Sequence, residues 1–337
     1  MNREEVTCMQ CGSTFVAADL FCESCGTILR AVRRVAIPGP ARSPDVPCAD
    51  CGNETYVDDY CTACGNRRAE PARDRADLDG IVLITDRGLE HPRNEDAAAA
   101  GIVAAAGEQS SAIAVTVCDG VSASADAQLA AVGASMAGVD AMLRALAGSR
   151  QAGSAVLAGL TDASIAAAGA GLGSMDLTMA PSCTYAAATV VPTEAGVEIT
   201  VGNVGDSRVY WLPEPPAQAQ CLTVDDSLAQ ELITAGIPAD SEAVQAGAHT
   251  LTRWLGADAE PTPWSDSSVR SITTTDRGLL LMCTDGLWNY LPEADDIARF
   301  CIGVDAEAAA RALVEYALAA GGHDNITVAV IPIGGLP

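Results

Sequence analysis

The chain has 337 residues, enough for one large domain of roughly 250 residues and a small appendage. Its formal charge of −25, with all 19 basic residues arginine and none lysine, argues against a nucleic-acid or anionic-membrane surface. Aromatics make up only 4 %, so any core has to be built from Ala, Val, Leu and Ile.

The opening segment, Met1-Asn-Arg-Glu-Glu-Val, has no apolar h-region, and the Ala/Gly-rich stretches read as too weakly hydrophobic to span a bilayer. A soluble cytoplasmic protein with no membrane partner is expected. Of the 13 cysteines, eight fall before residue 65 in Cys-x2-Cys pairs: Cys8, Cys11, Cys22, Cys25 and Cys48, Cys51, Cys61, Cys64. Glycine follows each pair (Gly12, Gly26, Gly52, Gly65), as a tight knuckle around thiolates requires. Redox dithiols and an iron–sulfur site compete, but the repeated spacing favours two closed tetrahedral Zn²⁺ sites in a reducing compartment. The two units resemble the tandem zinc ribbons that many bacterial proteins carry as N-terminal interaction modules. They are assigned to residues 1–29 and 48–66. The Arg/Pro/Ala/Asp-rich stretches 30–47 and 67–78 read as linkers, leaving 79–334 as the large domain. Residues 1–78 carry more acidic than basic groups, which weighs against nucleic acid as the ribbons' partner.

The large domain begins with a strand at 81–85 and the loop 86–96. Ala112-Ile-Ala-Val-Thr-Val-Cys118 reads as a strand buried on both faces, stopping at Asp119-Gly120. Ala-rich helices follow at 125–149 and 153–170. Strands then cluster at 185–191, 197–202, 208–212 and 220–224, close enough for antiparallel hairpins. Gly278-Leu-Leu-Leu-Met-Cys283 repeats the buried-strand grammar and runs into Thr284-Asp285-Gly286. Helical pattern covers 227–236, 293–301 and 306–319, and a last strand at 326–331 stops at Pro332. The fold class implied is α+β: a four-layer α-β-β-α sandwich of two mostly antiparallel sheets, preceded by the two ribbons.

Four acidic loci stand at strand ends or in loops: Glu95-Asp96, Asp119-Gly120, Asp285-Gly286 and Asp324-Asn325. A carboxylate at the mouth of a buried strand needs a partner, and a metal ion is a common one. Hard oxygen donors without His or Cys select Mg²⁺ or Mn²⁺ over zinc. In order along the chain come Asn94-Glu95-Asp96, Val117-Cys-Asp119-Gly120, Gly202-Asn-Val-Gly-Asp206-Ser-Arg208, Leu222-Thr-Val-Asp225, Leu251-Thr-Arg253-Trp-Leu-Gly256, Cys283-Thr-Asp285-Gly286 and Gly322-His-Asp324-Asn325. This ordered set resembles the metal-dependent protein phosphatases (the PPM, or type 2C, serine/threonine family) and covers most of residues 80–333.

The resemblance implies a phosphoprotein phosphatase in which Asp96, Asp119, Asp285 and Asp324, with the Gly120 carbonyl, hold two Mg²⁺ or Mn²⁺ ions. Glu95 would act through bound water. Residues 228–250 would form the variable flap, Asp206, Arg208, Asp225 and Arg253 would brace turns, and Asp176 is a weaker candidate for a third ion. The implied partners are phosphorylated proteins, a serine/threonine kinase or its substrates. Three departures stand out. His91 occupies the place of the family's phosphate-binding arginine, Ser122-Ala123 replaces a glycine pair, and Ser182-Cys183-Thr184 replaces Gly-Thr-Thr. Arginine grips phosphate with a permanent bidentate charge, whereas histidine is the residue type whose charge changes near neutrality. A catalytically weak scaffold or phosphoprotein sensor on the same fold is the alternative these departures keep open.

Overall fold

Runs of small and β-branched residues build the centre of the molecule, and the strands they form are flanked by alanine-rich helices. The computed structural model describes residues 5–8, 10–16, 21–26, 30–39, 47–48, 51–57, 60–65, 71–105, 111–121, 123–124, 126–148, 151–172, 176–215, 217–265 and 268–334. The chain opens with β1 (Glu5–Thr7), β2 (Thr14–Val16), β3 (Arg30–Ile37), β4 (Tyr56–Val57), β5 (Tyr60–Cys61), β6 (Arg73–Leu78), β7 (Ile81–Asp86), β8 (Ala97–Ala105) and β9 (Ser111–Cys118). Helices α1 (Ala127–Ala147) and α2 (Ala152–Ala170) follow, then β10 (Ser182–Cys183), β11 (Tyr185–Thr193), β12 (Gly196–Val204), β13 (Arg208–Pro213) and β14 (Gln220–Cys221). The flap holds α3 (Leu228–Thr234) and α4 (Glu242–Ala246). Last come β15 (Leu255–Gly256), β16 (Val269–Thr274), β17 (Gly278–Cys283), α5 (Asp285–Trp288), α6 (Ala294–Ala298), α7 (Ala306–Ala320) and β18 (Ile326–Ile333).

Two six-stranded antiparallel sheets face each other, in the orders β16-β12-β11-β9-β8-β3 and β14-β13-β17-β18-β7-β6. Between them Leu83, Val115, Ile199, Leu280, Met282 and Ile331 form an inter-sheet core. Alternate residues of the same strands face outward. On one side Ala99, Ala114 and Tyr185 meet α1 and α2, and on the other Val82, Leu281 and Val328 meet α5 to α7. The four-layer α-β-β-α expectation therefore holds.

The helices bury the faces their sequences dictate. In α7, Asp305 caps the N-terminus by accepting from Ala308 N (2.8 Å), and Ala306, Ala309, Ala310, Leu313, Val314 and Ala317 make one apolar stripe. Leu313 or Val314, fully buried, contributes roughly 1.5–3 kcal/mol. By length and composition α1 and α2 could each cross a membrane, contrary to the sequence expectation. In the sandwich they pack against each other and against the first sheet.

Parts of the expected linkers 30–47 and 67–78 are strands: residues 30–37 form β3 and residues 73–78 form β6. β3 is the edge strand of one sheet, paired with β8 from Arg30↔Ala105 to Ile37↔Ala98, and β6 is the edge of the other, paired with β7. The two edges lie against each other across the sandwich. The polar sequence of β3 hid it: Arg33 pairs with Asp79 in the β6–β7 turn, whereas Arg34 pairs with Asp140 on α1, so arginines point to both faces. The second cysteine unit is thus an insertion between the first two strands of the sandwich, and the large domain begins near residue 30.

A fragment starting at residue 79 would lack both edge strands and lose the buried Ile37 and Leu78, costing roughly 3–6 kcal/mol from these two side chains alone. It should melt well below the full chain, while removal of residues 1–26 alone should leave the midpoint unchanged. Equal thermal midpoints for the two fragments would restore the boundary at 79.

Within each cysteine unit the glycine after each pair adopts positive φ (72–76°), closing its turn by donating its N–H to the carbonyl of the pair's first cysteine (2.7–2.8 Å). Sulfur atoms approach to 3.7 and 3.5 Å in the first unit and 3.5 Å twice in the second. A tetrahedron with metal–sulfur bonds of about 2.3 Å has edges of roughly 3.8 Å, so these quartets suit a metal, not a disulfide.

Candidate metal centre

Four strand ends deliver the acidic residues to one place. The loop after β7 is tied down first: Asn94 Nδ2 donates to Thr85 Oγ1 (2.7 Å), and Asn94 Oδ1 accepts from Asp96 N (3.2 Å). Asp96 is fully buried. Its Oδ2 accepts from Thr284 Oγ1 (2.9 Å) and Thr327 Oγ1 (2.7 Å), while Oδ1 has no hydrogen-bond partner. Asp119, at the end of β9, is fixed through its backbone: its N–H donates to Thr184 Oγ1 (3.0 Å) and its carbonyl accepts from Thr184 N (2.8 Å). Asp285 opens α5, with Oδ2 accepting from Asn289 Nδ2 (3.2 Å) and Oδ1 buried without a partner. Asp324 Oδ1 accepts from Asn325 N (2.7 Å).

The glycines of the two Asp-Gly pairs allow these segments to touch. A Cβ on Gly120 would sit 2.7 Å from the Glu95 carbonyl oxygen, and one on Gly286 would sit 2.0 Å from that of Asn325. Neither backbone could approach so closely past a side chain. Asn325 then stitches the acidic loop, accepting from Glu95 N (2.7 Å) and donating to the Arg87 (2.8 Å) and Arg93 (3.0 Å) carbonyls.

The carboxylates repel one another. Burial, offset in part by the Thr327 hydrogen bond and reinforced by Asp324, raises Asp96 to about 7. Burial and then Asp96 and Asp285 push Asp119 well above the ordinary carboxylate value, and burial and Asp285 push Asp324 up. Glu95 is raised by burial. So much like charge, with two buried carboxylate oxygens lacking any donor, fits hard divalent cations as the missing partners. Among the described residues the groups that bring three or more ligand atoms within 4.8 Å of one another are the two cysteine quartets.

A cleft of about 640 Å³ opens above the carboxylates, lined by Asp119, Gly120, Asp206, Asp285 and Asp324 on one part and His249, Asn289, Tyr290 and His323 on another. Asp96 lies beneath it. His91 stands outside the lining, its Nε2 3.3 Å from Asp324 Oδ1. Asp206, expected only to brace its turn, instead faces the cleft and is raised to about 8 by burial and Asp285. Arg208 does brace: it forks onto Asp225 (2.7–3.2 Å) and lies over the Trp288 ring at 3.8 Å. Arg253 pairs with Asp226 (2.8 Å). Asp176 is exposed and does not line the cleft. Ser122 lies outside the described residues.

His249 went unnoticed in the sequence. It ends the flap, whose base is closed by the Ser227↔Leu251 bridge, and its ring lies nearly parallel to Trp288 (8°, centroids 6.3 Å apart). Its Nδ1 is 3.8 Å from Asp285 Oδ2, and that carboxylate holds its pKa above the ordinary value. Scarcity was the available signal: the chain has only three histidines, of which His249 and His323 line this cleft and His91 touches Asp324 from outside it.

Comparison with known proteins agrees with this geometry. The family model described as "Protein phosphatase 2C" matches residues 259–326. The serine/threonine phosphatase stp of Listeria welshimeri is 34 % identical over 137 residues, covering 40 % of this chain and 51 % of that protein. PstP of Mycobacterium tuberculosis is 31 % identical over 141 residues, 41 % of this chain and 26 % of PstP. The chain thus spans about half the length, or less, of these curated relatives. Among solved structures, the PPM Ser-Thr phosphatase MsPP of Mycobacterium smegmatis, in complex with cacodylate, superposes with a TM-score of 0.54 at 26 % identity, covering 77 % of this chain and all of MsPP. The PstP catalytic domain in complex with two manganese ions gives 0.52 at 20 %, covering 77 % of this chain and 96 % of that domain. In its two-sheet fold and in the order of the motifs that meet at its acidic cleft, the chain is similar to the protein phosphatase 2C (PPM) family.

Proposed function

We propose that this protein is a cytoplasmic Mg²⁺- or Mn²⁺-dependent phosphatase acting on phosphoserine and phosphothreonine in proteins, with one structural Zn²⁺ in each cysteine quartet. The observation that carries the proposal is the pair of buried, unpartnered carboxylate oxygens, Asp96 Oδ1 and Asp285 Oδ1, in a cluster of like charges below an open cleft. Asp96, Asp119, Asp285, Asp324 and the Gly120 carbonyl would hold two ions, and Glu95 would reach them through water. Ions bound there supply an activated water and neutralise phosphoryl charge. The chain's own residues do the rest. Thr284 and Thr327 aim Asp96, and the Thr184 hydroxyl and backbone fix Asp119. His91 and His249 offer imidazoles on the two outer carboxylates, Asp324 and Asp285, where a phosphoryl oxygen would otherwise meet only negative charge. The convergence of all four aspartates favours the enzyme over the scaffold reading.

The full chain should hydrolyse p-nitrophenyl phosphate and a phosphothreonine peptide with Mn²⁺ or Mg²⁺, and stop in EDTA. Metal analysis should find two further tightly held zinc ions. Absence of turnover on both substrates at saturating Mn²⁺ would leave the scaffold reading standing.

His91 gives a sharper expectation. Substituting the bidentate, always-charged arginine (His91→Arg) should lower KM several-fold with little change in kcat. A His91→Ala variant with the parent's KM on both substrates would remove His91 from phosphate binding.

A further inference from the structure

The chain leaves the sandwich at the end of β3, forms the second cysteine unit and re-enters at β6. The re-entry point is bonded directly to the loop that carries His91. Arg87 N donates to the Ala72 carbonyl (2.7 Å), Arg73 Nε donates to Asp86 Oδ2 (2.8 Å), and Asp86 Oδ1 accepts from Gly88 N (3.0 Å). The Asp86 side chain is only 8 % exposed, so Arg73 is the cation that makes its burial tolerable. At its far end the same loop donates from Leu89 N to the Gly322 carbonyl (2.7 Å), two residues before Asp324. The His91 loop therefore hangs between the strand leaving the second cysteine unit and the turn that carries Asp324.

We infer that Arg73 is a positioning residue for the His91 loop, and that metal binding by Cys48, Cys51, Cys61 and Cys64 sets how firmly it holds. The kinetic side of this inference rests on the phosphatase proposal; the structural side does not. The mechanism is loop closure. Strands β3 and β6 lie against each other, so the ends of the chain segment that joins them must meet. Tying Cys48 to Cys64 through one metal takes about half of that segment out of the closure, and halving the length of chain to be closed favours closure about threefold. The first cysteine unit precedes β3 and closes no connection between strands of the sandwich, so its metal has no such leverage. Arg73 acts more directly: deleting a hydrogen bond to a charged, buried group shifts an opening equilibrium by about tenfold or more.

The test uses the full chain with Mn²⁺ and zinc present. Hydrogen exchange is followed in peptides over 86–93, with strand β9 as the reference for global folding. KM and kcat on p-nitrophenyl phosphate are measured beside it. Arg73→Ala should speed exchange at 86–93 about tenfold and raise KM more than it lowers kcat, with β9 unchanged, and Arg73→Lys should recover part of both. Cys61→Ser should speed exchange at 86–93 about threefold with loss of one zinc. Cys22→Ser should lose one zinc with no change there. Identical exchange in Arg73→Ala and the parent, or equal effects of Cys22→Ser and Cys61→Ser, would overturn the inference. Should Cys61→Ser also deprotect β9, the Arg73 variants decide, since both cysteine units stay intact in them. A parent chain without turnover defeats the phosphatase proposal, and exchange alone then decides this one.

Discussion

Asp119→Asn and Asp285→Asn should each cut hydrolysis of p-nitrophenyl phosphate by on the order of a thousandfold or more, and each should raise the melting temperature of the metal-free protein. The two effects share one cause. An asparagine fills the same space but carries no charge, so the ions lose a ligand that no neighbour can replace. Without ions, the substitution at 119 removes a carboxyl that burial, and then Asp96 and Asp285, drives far above its ordinary range, and the one at 285 removes a charge that presses on Asp96, Asp119 and Asp324. A residue kept for structure behaves the opposite way: its replacement destabilises the fold and costs activity as a consequence. Melting curves in EDTA beside turnover in Mn²⁺ separate the cases. Lower stability in both variants, or undiminished turnover in either, would remove these residues from the metal centre.

In EDTA, stability should fall as pH rises from about 4 to about 8, the reverse of ordinary acid denaturation. A carboxyl whose folded-state pKa lies above its unfolded value costs nothing while protonated in both states, below about pH 4. Its cost grows as pH climbs and is complete above the folded value. Asp96, raised to about 7, contributes a penalty on the order of 4 kcal/mol once ionised, and Asp206, raised to about 8, adds to it. With saturating Mn²⁺ the slope should invert, because the ions bind the deprotonated carboxylates and stabilise only the folded state. Melting temperatures from pH 4.5 to 8.5, with and without Mn²⁺, test both signs. A metal-free protein that is most stable near neutrality would show that the carboxylates are not in conflict.

Asp119 and Asp285 were legible in the sequence because each follows an apolar run that reads as a buried strand. Ala112–Cys118 and Gly278–Cys283 are found at 111–118 and 278–283. The helices were legible for a similar reason: residues 306–319 carry an apolar stripe at helical spacing and are found at 306–320. Several other strands were not. β8 is Ala97-Ala-Ala-Ala-Gly followed by Ile-Val-Ala-Ala, whose intrinsic preference is for anything but a strand; its place between β9 and β3 overrides it. β6 and β16 carry charged or hydroxyl side chains because one face meets solvent. His249 and the orientation of Asp206 depend on how the flap folds back over α5, and no local pattern encodes that.

The split of the large domain around the second cysteine unit also bears on how the chain is made. β3 leaves the ribosome with no partner, since its neighbour β8 lies roughly sixty residues downstream, several seconds of synthesis at about 5–20 residues per second. For that interval an eight-residue strand waits as a free edge, the kind of segment that pairs with the wrong chain. Arg33 and Arg34, exposed in its middle, keep it soluble until Asp79 and Asp140 arrive to receive them. The cysteine unit that follows needs only its own four thiols and an ion, so it can be complete before either sheet exists. The nascent chain would thus carry a finished, metal-bound knot between two unpaired strands, holding them near each other while the rest of the sandwich is still being translated.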